Sequence, residues 1–237
     1  MGKILICGVY LADRNNWAAE AISQLSGSHD HHVEQRWIAL DVTNSGNDDL
    51  PHTVHTVTHP KPKFTLLNDL LADVSHFDAV LILDDDVTLP RRFLDRYLRL
   101  ATQYKFALSQ PARTLDSYID HSFTMQMPGL VARSTRFVEI GPLFCILREA
   151  FDLILPFDAV SPMGWGLDFV WPARIEQLGK RMGIIDVLPV SHSLRKPVTN
   201  YERDTERDTV ERGMNQLLSE NDHLSRSDAF TLLEAYA

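Results

Sequence analysis

Phe77-Asp78-Ala79-Val80-Leu81-Ile82-Leu83-Asp84-Asp85-Asp86 runs from an apolar stretch straight into three carboxylates. An unbroken apolar run this short, rich in β-branched residues, reads as a buried strand. Three like charges at its end repel one another and need a reason to be there. In open α/β sheets, ligands bind just beyond the carboxyl ends of strands. A hard divalent cation with oxygen ligands relieves the repulsion and bridges to phosphate oxygens. Strand alternation puts Asp84 and Asp86 on one side and Asp85 on the other, so Asp84 and Asp86 form a D-x-D pair. The plain alternative is an acidic turn before the helix that starts near Pro90.

Outward from this stretch, strand and helix signals alternate. Lys3 to Tyr10 is a compact apolar run. Trp17, Ala21 and Leu25 have helical spacing, and Val33 to Val42 reads as a second strand. Thr43 to Asp49 is a polar loop. Lys63 to Val74 is amphipathic, and Arg91 to Tyr104 reads as the helix after the triple aspartate. Ser109 to Arg136 is polar and reads as irregular. Phe137 to Leu147 reads as a strand followed by a turn, and Arg148 to Leu155 as a short helix stopped by Pro156. A helix opens at Gly164 and ends at Gly179. Ile184 to Val190 is a last strand. Alternating β and α units imply a sheet covered by helices. The tail beyond Tyr201 alternates in charge, which predicts a solvated helix with i,i+4 pairs and then a terminal helix from Ser227.

Composition removes several function classes. The 237 residues carry a net charge of −9, and a nucleic-acid binder would show a basic face. No apolar run is long enough to span a bilayer. The start Met1-Gly2-Lys3-Ile4-Leu5-Ile6-Cys7-Gly8 reads as a first strand, not a signal peptide. Cys7 and Cys145 are the only cysteines and both sit in apolar settings. That argues against a disulfide framework or zinc cluster and fits a reducing cytoplasm. Peripheral docking at a membrane or partner is the role left for the C-terminal helices. An acidic protein that binds an anionic nucleotide needs local positive charge, and a divalent cation is the usual source.

Two further features carry chemistry. Gly164-Trp165-Gly166-Leu167-Asp168 places a flat apolar ring between two glycines that allow close backbone approach. Asp168 follows at a helix start, where the dipole favours its ionised form. A carboxylate beside a sugar-stacking ring suits a general base for an acceptor hydroxyl. Its plain alternative is a helix cap. His192, in Val190-Ser191-His192-Ser193, follows the last strand and is a metal-ligand candidate, a lone surface histidine being the alternative. His29-Asp30-His31-His32 and the scattered His52, His55 and His59 rank lower, because they lie in polar loops or edge segments.

These blocks together resemble the GT-A glycosyltransferases. In those proteins a D-x-D follows a central strand, a Trp-Gly-x-acid segment carries the base, and a late His completes the metal site. The blocks are Lys63-Phe64, Phe77-Asp78, Leu83 to Asp86, Leu108-Ser109-Gln110-Pro111-Ala112, Phe137 to Phe144, Gly164 to Asp168 and Gly183 to Asp186, with His192 after them. More narrowly, the chain resembles a plant and bacterial domain family of unknown function within the GT-A clan. The resemblance implies an α/β, Rossmann-like nucleotide-diphospho-sugar transferase domain with a mixed central sheet over residues 1–200. Residues 201–237 would form a C-terminal helical extension.

The resemblance also implies site roles. Asp84, Asp86 and His192 would hold Mn²⁺ or Mg²⁺, and Asp84, Asp85 and Lys63 would face the nucleotide. Asp168 would be the base of an inverting transfer. Gly164, Trp165, Gly166 and Gln110 would contact substrate. The implied partners are a nucleotide-sugar donor and a carbohydrate or other hydroxyl acceptor. A nucleotidyltransferase is the second reading, weakened by the absence of a Gly-rich basic loop in Gly8 to Arg14. A non-catalytic nucleotide- or carbohydrate-binding module on the same fold is the third.

Overall fold

The computed structural model describes residues 2–195 and 204–237. The elements in chain order are β1 (Gly2–Leu11), α1 (Ala18–Ser26), β2 (His31–Leu40), β3 (Thr53–Val57), α2 (Lys63–Leu70), β4 (Ala79–Asp84) and α3 (Phe93–Gln103). They continue with β5 (Phe106–Arg113), β6 (Ala132–Thr135), β7 (Leu143–Leu147), α4 (Phe151–Ile154), α5 (Leu167–Gln177) and β8 (Arg181–Val190). The last are α6 (Asp204–Glu220), α7 (Arg226–Ala229) and β9 (Leu232–Tyr236). No helix of the described residues is long and apolar enough to cross a membrane.

The nine strands form one mixed sheet in the order β3-β2-β1-β4-β7-β5-β8-β6-β9. β1 pairs in parallel with β2 and β4, and β5 with β8. β7 is antiparallel to both β4 and β5. Two antiparallel steps restore direction, so β1, β4, β5 and β8 present their carboxyl ends on one edge. Both faces of the central strands are buried, which is why these strands read as continuous apolar runs. Leu5, Cys7, Val80 and Ile82 face one core with residues of α2, α4 and α5. Ile4, Ile6, Leu81 and Leu83 face the other, with residues of α1 and α3. The two cysteines are free and buried.

Three readings of the sequence are corrected. The stretch Ser109 to Arg136 holds the greater part of β5 and all of β6. β5 is buried along its whole length although it carries Ser109, Gln110 and Arg113. Its polar groups have partners inside: Ser109 Oγ lies 2.8 Å from Tyr97 Oη, and Gln110 Oε1 accepts from Glu139 N–H at 2.6 Å. Pairing with β7 covers only Leu108 and Ser109, so the strand tolerates Pro111. In Phe137 to Leu147 the turn comes first and the strand, β7, second. The terminal helix expected from Ser227 stops at Ala229 and a strand follows: β9 pairs antiparallel with β6, and Tyr236 stacks on Tyr104 with ring centroids 4.3 Å apart. Leu, Glu and Ala are good helix formers, so tertiary pairing overrides local propensity there.

The division drawn at residue 200 falls outside the described residues, as do Glu202 and Arg203 of the expected charge pairs. Beyond it, α6 packs on α5 and buries Leu217 completely within the core that holds Trp171 and Phe157. Leu217→Ala is therefore expected to cost about 2–5 kcal/mol of stability. A denaturant titration checks this, and a loss well below 1 kcal/mol would mean that α6 is not part of the core.

Candidate active site

The carboxyl edge of the sheet opens into a cleft of about 780 Å³. That is within the range of small-molecule sites. β4 delivers the aspartates and β1 ends at Leu11 beside them. β5 ends at Arg113, and His192 lies just past β8.

The three aspartates do not simply alternate, because β4 stops at Asp84 and the chain turns. Asp84 Oδ1 lies 2.5 Å from Lys63 Nζ, at the first residue of α2. Asp85 accepts from Leu11 N–H at 2.7 Å and is gripped by Arg195. Burial pushes Asp85 up to about 6 against the pull of Arg195. Asp86 Oδ1 lies 3.0 Å from His192 Nε2, and its Oδ2 lies 3.1 Å from Arg195 Nη2. Burial alone would raise the Asp86 carboxyl, but His192, Arg195 and Lys63 outweigh it and hold it below the usual carboxylate value. The repulsion noted in the sequence is thus met by two cations of the chain itself.

Among the described residues, no three His, Cys, Asp or Glu side chains gather as a metal cluster. Of the expected set, Asp86 and His192 touch each other, while Asp84 is paired with Lys63. Nor do the histidines at 29, 31 and 32 build a site. The remaining pair does suit a divalent ion. A carboxylate oxygen and an imidazole nitrogen are acceptable donors for Mn²⁺, and phosphate oxygens and water can complete its shell. Arg113 Nη1 lies 3.5 Å from His192 Nδ1, on the far side of the ring from Asp86.

Asp168 stands in the first turn of α5 behind Gly166, whose φ is +91°. Gly164 has φ +84°, and a Cβ there would meet the Phe64 ring at 2.4 Å. Both the backbone conformation and the close approach require glycine. Phe64 N–H also donates to Pro162 O at 3.0 Å, so the turn carrying Trp165 is pinned to the start of α2 beside Lys63. Trp165 is half-buried and lines the same cleft as Asp168, Lys63 and the aspartates. Burial pushes Asp168 up to about 7, with the nearby charge of Glu139 adding to it and backbone N–H groups at the helix start opposing it.

Gln110 is corrected. It is 1% exposed and does not line the cleft, and it supports Glu139 from below. Three cleft residues had no role in the sequence reading: Arg113, Glu139 and Arg195. Arg113 Nη2 donates to Glu139 Oε2 at 2.5 Å and to Gly141 O at 3.0 Å. Burial pushes Glu139 up to about 7 in spite of Arg113. Glu139 Oε1 and Asp168 Oδ1 are buried without a hydrogen-bond partner. An unpaired buried polar atom is costly, so both oxygens mark polar positions in the cleft. Glu139 did lie in a quoted block. The pairing with Arg113, across 26 residues, leaves no local sequence signal.

Neither a protein-family model nor a curated protein matches the sequence. Solved structures match in fold. One is GalNAc-T7 with UDP, GalNAc and Mn²⁺: TM-score 0.59, 11% identity, covering 90% of this chain and 48% of that one. Another is Staphylococcus aureus TarS with UDP-GlcNAc: TM-score 0.58, 10% identity, covering 96% of this chain and 69% of that one. The chain thus spans about half the length of the first. Both are GT-A glycosyltransferases, and the likeness shows that this chain has the GT-A fold.

Proposed function

We propose that this chain is a glycosyltransferase that moves a sugar from a nucleotide-sugar to a hydroxyl acceptor with inversion, using Mn²⁺ or Mg²⁺. One observation carries the reading: a single cleft at the carboxyl edge is lined both by Lys63, Asp86 and His192, charged groups suited to a diphosphate, and by Trp165 and the buried carboxylate Asp168. The GT-A fold and the UDP and Mn²⁺ of the neighbouring structures support it.

The chemistry is a single displacement. The acceptor oxygen bonds to the anomeric carbon while the bond from that carbon to the diphosphate breaks. The acceptor proton passes to Asp168, and the electron pair leaves with the nucleoside diphosphate. Asp168 acts while ionised, and a value of about 7 matches a base working near neutrality. Trp165 offers an apolar face for a sugar ring, and the glycines on either side fix its position. Glu139 Oε1 is placed to accept from a sugar hydroxyl. Lys63 lies where it can neutralise phosphate charge. A divalent ion held by Asp86 and His192 would add Lewis-acid stabilisation of the leaving diphosphate.

The narrower kinship with the plant and bacterial domain family belongs to the proposal and rests on the ordered sequence blocks. A reducing cytoplasmic location is likewise proposed, supported by the two free buried cysteines. The test is a thermal-shift panel of nucleoside diphosphates and nucleotide-sugars, with and without manganese. Ligands that bind only the native state raise its melting temperature with occupancy. One base and sugar should stabilise the protein, and most strongly with manganese. A flat panel would remove the nucleotide-sugar reading.

A further inference from the structure

Arg195 lies three residues past His192 and is engaged with two of the three aspartates. Its Nη2 touches Asp85 Oδ1 and lies 3.1 Å from Asp86 Oδ2. Its Nη1 donates to Asn15 O at 2.6 Å and lies 3.5 Å from Asp85 Oδ2. Its Nε is buried and has no partner. The side chain is 15% exposed and lines the cleft. The guanidinium therefore holds one oxygen of Asp86 while His192 holds the other.

This placement sets up a conflict. A divalent ion on Asp86 and His192 would sit beside a fixed positive charge, and like charges a few ångströms apart in a partly buried site repel strongly. A diphosphate removes the conflict, because a guanidinium fork matches phosphate oxygens at least as well as carboxylate. Asp85 can keep one arm of Arg195 meanwhile, through its own oxygens and the Asn15 carbonyl.

We propose that Arg195 is a diphosphate-binding residue stored on Asp85 and Asp86, and that it gives up Asp86 for phosphate oxygens when metal and nucleotide bind together. The inference rests on the nucleotide-sugar reading and deepens it. Before nucleotide arrives, Arg195 competes with the metal for Asp86. After it arrives, Arg195 and the metal sit on the same diphosphate. The exchange couples the two ligands, and linkage makes the coupling reciprocal: UDP strengthens Mn²⁺ binding by the factor by which Mn²⁺ strengthens UDP binding.

The test measures Mn²⁺ binding by the electron paramagnetic resonance signal of the free ion, with and without UDP, in wild type and Arg195→Gln. UDP affinity in saturating Mn²⁺ is read by calorimetry. Arg195→Gln should bind Mn²⁺ alone about tenfold more tightly, because its competitor is gone, and the coupling factor should fall by a similar amount, within the usual range of such couplings. UDP affinity with Mn²⁺ should fall. Mn²⁺ binding alone that is unchanged or weaker would overturn the proposal, as would an unchanged coupling factor. Arg195→Lys, which keeps the charge without the fork, should bind Mn²⁺ alone as wild type does and bind UDP less tightly. It decides the matter if the Gln variant fails to fold. If wild type binds neither UDP nor any other nucleoside diphosphate, the proposed function itself fails, while the Mn²⁺ arm still reads the competition by Arg195.

Discussion

Asp168→Asn is expected to lower the rate of sugar transfer by about 10²- to 10⁴-fold while donor affinity stays as in wild type. Asn keeps the size of the side chain and its acceptor oxygen for the backbone N–H groups at the start of α5. It loses the basic oxygen. In the proposed function the donor's diphosphate rests on Lys63, Asp86 and His192 and not on Asp168, so binding and transfer separate. In wild type, transfer should rise with pH through about 7 as Asp168 ionises. Glu139, also near 7, couples to it, so the observed limb belongs to the pair.

Stability gives an independent check on Asp168. Its folded value lies above that of an unfolded carboxylate, so its contribution to stability is complete below about 4 and is lost as pH rises through about 7. Asp168→Asn escapes that loss and should gain stability relative to wild type between those values. Single-turnover transfer and denaturant titrations at several pH values test both statements. Transfer at close to the wild-type rate would reduce Asp168 to a helix-start residue and move the base elsewhere.

Asp86→Ala is expected to do the reverse, by weakening manganese-dependent binding of nucleoside diphosphate on the order of 100-fold. Asp86 is the only aspartate of the three in contact with both His192 and Arg195. Removing it takes away one of the two paired donors and leaves His192 alone. In excess chelator the variant should bind UDP no worse than wild type, since a negative charge has left the phosphate end. The ratio of affinities with and without manganese should therefore collapse toward one. Calorimetry reads the ratio directly. Equal binding by wild type in manganese and in chelator would contradict the metal bridge.

The central strands were legible because β1 and β4 are buried on both faces and carry the unbroken apolar runs this demands. The ends of the site were legible for a similar reason. Asp84, Asp85 and Asp86 end a core strand, and Gly164-Trp165-Gly166 marks a turn whose two glycines adopt positive φ and pack against Phe64 and Met214. What stayed hidden was polar and long-range. β5 looked irregular because Ser109, Gln110 and Arg113 are satisfied by Tyr97 and Glu139, contacts no local pattern displays. β9 looked helical because its residues favour helix in isolation, and only β6 and Tyr104 decide otherwise. The triple aspartate suggested a metal to relieve its repulsion, whereas Lys63 and Arg195 approach from 21 positions before and 109 after the triad's edges. Pairings at such separations are set by the fold.

The most direct test of the whole account is a crystal structure of the chain with a stabilising nucleotide-sugar and manganese, the ion located by its anomalous scattering. The account predicts manganese against Asp86 and His192, the diphosphate between it, Lys63 and Arg195, and the sugar at Trp165 with its reacting face toward Asp168. A nucleotide bound outside this cleft, or bound within it with manganese on other residues, would contradict it.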